Sequence, residues 1–193
     1  IWLHVIPELR NLWFGKAWSH KPYSLYKKKD QVGLVNRLLQ QIRPPSSSEE
    51  LPSDIDPSNG WKANVERFWA LYLACPILEG ILPPTLFAHF VRLIEVLRYI
   101  SGPLLEWRNP AARIDLERCN VQLQYFVEQH AVLYGEEAVS LSVHMLLHLI
   151  EDVLMFGPIW SSNCFAFETA NHWLIRKLHG KSVAQDKSLL DAF

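Results

Sequence analysis

The chain has 193 residues, enough for one domain with a sizeable core, and at 49% hydrophobic and 20% charged it has the balance of a globular protein rather than a disordered one. A formal net charge of -1 excludes a globally basic nucleic-acid binder while leaving local basic patches open. Three cysteines, Cys75, Cys119 and Cys164, form no C-x-x-C pair and leave one over, which argues against a secreted disulfide framework and for a reducing compartment.

The start, IWLHVIPELR, carries no initiator Met, no basic n-region and no cleavage site. It reads as a chain entered in mid-element, so a fragment of something longer is the expectation. Ile1 to Phe14 is predicted helical, with Pro7 kinking or splitting it. GKAWSHKPYS is a loop. KKKDQVGLVNRLLQQIR follows as a helix with Val32, Val35, Leu38, Leu39 and Ile42 at helical spacing. PPSSSEELPSDIDPSNG, residues 44–60, is the clearest irregular stretch, with four prolines, five serines and no apolar period. It is either a surface loop or a mobile linker. WKANVERFWALYLAC is a strong helix expected to end at Pro76, and PTLFAHFVRLIEVLRYIS another, with Pro84 near its first turn and Ser101-Gly102-Pro103 as its stop.

AARIDLERCNVQLQYFVEQHAVLYG extends to a Gly135 C-cap, with Ile114, Val121, Tyr125 and Val132 among its inward candidates. SVHMLLHLIEDVLMF is the next helix, closed by Gly157-Pro158, and the last runs from about Phe165 to Gly180. No alternating strand run, internal repeat or membrane-length apolar run stands out. The prediction is a mainly α chain, a single helical domain over 1–193 with about seven helices.

The most informative stretch is VHMLLHLIEDVLMFGPIWSSNCFAFE, residues 143–168. On a helix advancing about 100° per residue, His144, His148, Glu151 and Met155 fall on one stripe, while Val143, Leu146, Leu147, Ile150 and Leu154 face the core. Histidines four apart can direct nitrogens to one metal ion. A zinc protease needs glutamate directly after the first histidine, and Met145 stands there, so that reading fails. Glu168 opens the last helix, on a side that also carries His172, Ile175 and His179. The ordinary account of an acid there is the helix dipole, worth about 0.3–1 kcal/mol. Arg176, Lys177 and Lys181 follow as a solvated, dipole-complementing helix end or as phosphate contacts. Lys27-Lys28-Lys29, near Tyr23 and Tyr26, reads either as a solvated helix start or as phosphate contacts.

The segment LYGEEAVSLSVHMLLHLIEDVLMFGPIWSSNCFAFETANHWLIRKLHG resembles the C-terminal part of the animal CACTA (En/Spm-like) cut-and-paste DNA transposases. The likeness rests on Leu133-Tyr134-Gly135-Glu136, the pair His144 and His148, Gly157-Pro158-Ile159-Trp160, Phe165, Phe167 and Glu168, and His179-Gly180. KPYSL, IRPPS and WKANVERFWALYLACPILEGILPP resemble the family's linking region. The resemblance implies an RNase H-like core of two aspartates and one glutamate, shared with the V(D)J recombinase catalytic subunit, and makes this chain its helical insertion and C-terminal helix. Glu168 then takes the role of third carboxylate, holding Mg²⁺ or Mn²⁺ for DNA strand cleavage and transfer.

His144 and His148 take the role of a structural zinc pair pinning the glutamate-bearing helix. DNA at transposon ends, a possible homodimer, the upstream part of the same core and a nuclear location are likewise implied, with no membrane. Asp30, Asp54, Asp56, Asp115 and Asp152 follow no strand-like run, so no catalytic aspartate is assigned here. The cysteine pair of a C₂H₂ zinc site is also missing, leaving ligands from elsewhere or Glu151 and water. The fragment alone is therefore not expected to cut DNA. A derivative that has lost catalysis and serves as a DNA- or protein-binding module is the alternative, and a plain helical domain without inherited chemistry the third reading.

Overall fold

The computed structural model describes residues 2, 4–43, 51–52, 54–102 and 110–159. Among these the secondary structure is entirely helical. In chain order the elements are α1 (Val5–Phe14), α2 (Lys29–Gln41), α3 (Ala63–Phe68), α4 (Ala74–Leu78), α5 (Pro84–Ile100), α6 (Pro110–Tyr134), α7 (Leu141–His144) and α8 (Leu149–Phe156). A π turn, Trp69–Leu73, joins α3 to α4, and a 3₁₀ turn, Met145–His148, joins α7 to α8. The described residues thus form six continuous helical bodies at the six places where periodicity predicts them; the seventh predicted helix, from about Phe165, lies outside them.

The boundaries follow local chemistry. Pro7 sits in the first turn of α1, where a missing N–H costs nothing, so it starts this helix rather than kinking it. Pro84 opens α5 in the same way. Pro76 does not end its helix as expected. The chain passes through it to Leu78, and the wide π turn lies directly before it, where Pro76 lacks the N–H to bond Tyr72 and its ring would crowd that carbonyl. Arg98 of α5 donates from Nε to the Leu71 carbonyl at 2.8 Å, satisfying an oxygen of that turn. Gly135 and Gly157 adopt φ of 95° and 90° at the ends of α6 and α8, a region that other residues enter only with strain.

One core joins the elements. Val5, Ile6, Leu9, Leu12 and Trp13 of α1 pack with Leu93, Ile94 and Leu97 of α5 and with Leu116, Leu123 and Phe126 of α6. Trp13 meets Phe90 edge-on at 5.2 Å and donates from Nε1 to the Tyr134 hydroxyl at 3.1 Å. Tyr23 donates its own hydroxyl to the Tyr134 carbonyl at 3.3 Å. Tyr134 is therefore the keystone between α1, the following loop and the end of α6.

The facing of α6 needs correction. Ile114, Val121, Tyr125 and Val132 do not face inward: they are 55%, 60%, 45% and 75% exposed, and the inward stripe of α6 is Leu116, Cys119, Leu123, Phe126, His130 and Tyr134. The described part of 44–60 has no helix or strand and is anchored to the core. Ile55 is buried, its N–H donates to Asn36 Oδ1 at 2.9 Å, and Arg10 donates to the Asp56 carbonyl at 3.0 Å. A single isoleucine and one arginine tie this stretch to the core.

Candidate functional site

The α7–α8 segment is set from both ends. Ser140 caps α7, accepting from the Val143 N–H at 3.2 Å while its hydroxyl donates to Glu8 Oε2 at 2.6 Å. Val143, Leu146, Ile150 and Val153 bury one side against the core, and Gly157 turns the chain at the far end. The opposite side carries His144, His148, Glu151 and Met155, all exposed, so the predicted stripe holds although a 3₁₀ turn interrupts the helix.

The imidazoles of His144 and His148 stand with ring centroids 5.9 Å apart, edge to face. Two rings on one tetrahedral zinc lie roughly 5 Å apart, given Zn–N bonds of about 2.0–2.1 Å, so a small rotamer change would let both reach one ion. Glu151 Oε2 lies 3.5 Å from His148 Nδ1. Two nitrogens are not a structural zinc site. Among the described residues no group of three or more histidine, cysteine, aspartate or glutamate side chains is arranged to hold a metal. Cys75 and Cys119 do not supply the missing thiolates. Neither belongs to such a group, and burial raises the pKa of both thiols, Cys119 to about 11. The donors in view do not by themselves fit the zinc that the resemblance implies.

Glu168, Arg176, Lys177 and Lys181 lie outside the described residues. Of the other basic cluster, Lys27, Lys28 and Lys29 are exposed at the start of α2. Tyr26 is exposed beside them, but Tyr23 is buried with its hydroxyl on Tyr134, so it is not available to a phosphate as expected. Asp30, Asp115 and Asp152 lie on helices, and Asp54 and Asp56 in a loop where they accept backbone N–H bonds; none follows a strand.

Sequence reasoning missed two buried polar arrangements. The first is an ion pair: Arg10 donates to Glu66 Oε1 at 2.6 Å, with both side chains nearly solvent-free, and the guanidinium lies 3.8 Å over the Trp61 ring. Burial pushes the Glu66 carboxyl up while Arg10 opposes it. The second is a histidine pair inside the core. His89 stacks on Phe126 at 4.0 Å and stands 5.6 Å from His130, which packs 4.7 Å from Tyr134. Their Nε2 atoms meet the carbonyls of Phe126 and Ala138 at 3.0 and 3.2 Å, and since a carbonyl only accepts, Nε2 carries the proton in both. Burial lowers both pKa values from 6.5 to about 4. For His130, its aromatic neighbours at i±4, Phe126 and Tyr134, were the available signal.

Set against protein-family models, curated proteins and solved structures, the chain matched none of them.

Proposed function

We propose that this chain is the helical C-terminal part of a transposon-derived D-D-E transposase with an RNase H-like core, in which Glu168 is the third carboxylate of a divalent-metal site for DNA cleavage and strand transfer. Arg176, Lys177 and Lys181 would contact DNA phosphates, and the protein would act in the nucleus. The reading rests on the residue pattern from Leu133 to Gly180. One observation supports it most: of the described members of that pattern, the two histidines are exposed on a segment whose other side is buried. Tyr134, Gly135, Gly157 and Pro158 have folding duties, as core keystone or at the ends of α6 and α8. His144 and His148 have none visible in the core and stand in solvent, where a ligand or a further part of the molecule can reach them.

When Mg²⁺ or Mn²⁺ is bound, such a site activates the attacking oxygen and stabilises the leaving one. The direct test is metal-dependent strand cleavage by the full-length protein and its Glu168→Gln variant. Loss of cleavage by about a thousandfold with DNA binding retained is the expected result; equal cleavage by the two proteins removes the proposed role.

A second reading, a derived module that binds DNA without cutting it, draws on Lys27-Lys28-Lys29. Cations at a helix N-terminus oppose the dipole by about 0.3–1 kcal/mol each, so these lysines are not placed to stabilise α2. If they meet phosphates, affinity falls steeply with salt and the slope flattens in the triple Lys→Ala variant. A salt-independent slope, or the same slope in both proteins, removes this reading.

A further inference from the structure

α6 is amphipathic in an unusual sense: it has a core stripe and, on the opposite side, a second apolar stripe that nothing described covers. Leu116, Leu123 and His130 repeat every seven residues on the inside. On the outside Ile114, Arg118, Val121, Tyr125, Glu128 and Val132 succeed one another at steps of four, three, four, three and four, the a/d spacing of a two-helix seam. All six are exposed.

The order of these six residues is self-complementary. Turn a second copy of α6 end for end about an axis level with Leu123, and each outward residue meets a defined partner. Ile114 faces Val132, Arg118 faces Glu128, and Val121 faces Tyr125, each pair occurring twice. The four apolar residues make apolar layers and the two charges make opposite-charge layers. The flanking positions agree: Glu117 comes beside Ala131, Asp115 beside Gln129, and Gln124 and Gln122 each meet themselves, so no like charges are juxtaposed. A parallel pairing would instead set Arg118 on Arg118 and Glu128 on Glu128, which is disfavoured. Tyr125 is already held from one side, with the Arg92 guanidinium 4.5 Å over its ring, which lowers the ordering cost on contact.

We infer that the outer face of α6 is a homotypic interface, on which a second copy of this chain docks antiparallel about a twofold axis at Leu123. The seam spans about 27 Å at 1.5 Å per residue. A single short two-helix seam makes a weak association the expected case. The inference does not depend on Glu168 or on any nuclease role.

Sedimentation equilibrium of the full chain at low salt, up to about 1 mM, tests it. The expected species has twice the 22.4 kDa mass of the chain. Arg118→Glu and Glu128→Arg should each weaken association about tenfold or more, because each creates two like-charge layers. The double variant R118E/E128R, which restores opposite charges, should return to within about threefold of the starting protein. Both side chains are exposed, and helicity by circular dichroism should be unchanged in all three. A chain that stays monomeric throughout, single variants that associate like the parent, or a double variant no better than the singles would each overturn the interface.

Discussion

The protein contains two histidine pairs with nearly equal spacing, 5.6 Å between the rings of His89 and His130 and 5.9 Å between those of His144 and His148. Their environments are opposite. The first pair lies in the core, 4% and 1% exposed, stacked among Phe126 and Tyr134 with Nε2 on backbone carbonyls. The second stands in solvent on the far side of α7–α8 from Val143, Leu146 and Ile150. Spacing alone thus says nothing of a pair's role; burial and available partners do. The inner rings contribute packing and bridge helices, and the outer rings are solvent-exposed, His148 beside Glu151.

Acid separates the pairs most strongly. Each inner ring has a folded-state pKa of about 4 against an ordinary 6.5, lowered first by burial. The unfolded chain therefore binds these protons first. Stability contributed by the neutral rings is complete above pH 6.5 and is lost as pH falls through 6.5 toward 4, by about 3 kcal/mol per ring. Denaturant titrations at pH 7.5 and pH 4.5 should show this loss in the parent and in the H144A/H148A variant alike. A double variant that resists acid would break the comparison.

Next in size is His130→Ala. It removes packing against Phe126 and Tyr134 and leaves the Ala138 carbonyl without its donor, at a cost of about 2–4 kcal/mol in urea unfolding. Smaller is Ser140→Ala, which deletes the cap that starts the segment bearing the outer pair and its bond to Glu8; about 1 kcal/mol is expected. Smallest is the double variant H144A/H148A at neutral pH, expected within about 0.5 kcal/mol of the parent. A loss above 2 kcal/mol there would mean the outer pair has a structural duty after all.

The helices were readable because apolar period, proline and glycine act locally. Val35 and Leu39 of α2, and Val143, Leu146 and Ile150 of α7–α8, fall inward as their spacing predicts. The outward stripe of His144, His148, Glu151 and Met155 was readable for the same reason. The orientation of α6 was not. Ile114, Val121, Tyr125 and Val132 form as regular an apolar series as Leu116, Leu123 and Phe126, and periodicity cannot rank two good faces of one helix.

Local residue chemistry was therefore sufficient for the six helical stretches among the described residues, for most of their limits and faces, and for the exposed histidine pair. Three features needed partners distant in the chain: which side of α6 turns inward, the burial of His89 with His130, and the anchoring of Ile55 by Asn36 and of Asp56 by Arg10 in an otherwise polar stretch. Their contacts join residues 19 to 56 apart, as in Ile55–Asn36, His89–Phe126 and Arg10–Glu66. Burial depends on what the rest of the chain places against a side chain, and no window along the sequence contains that information.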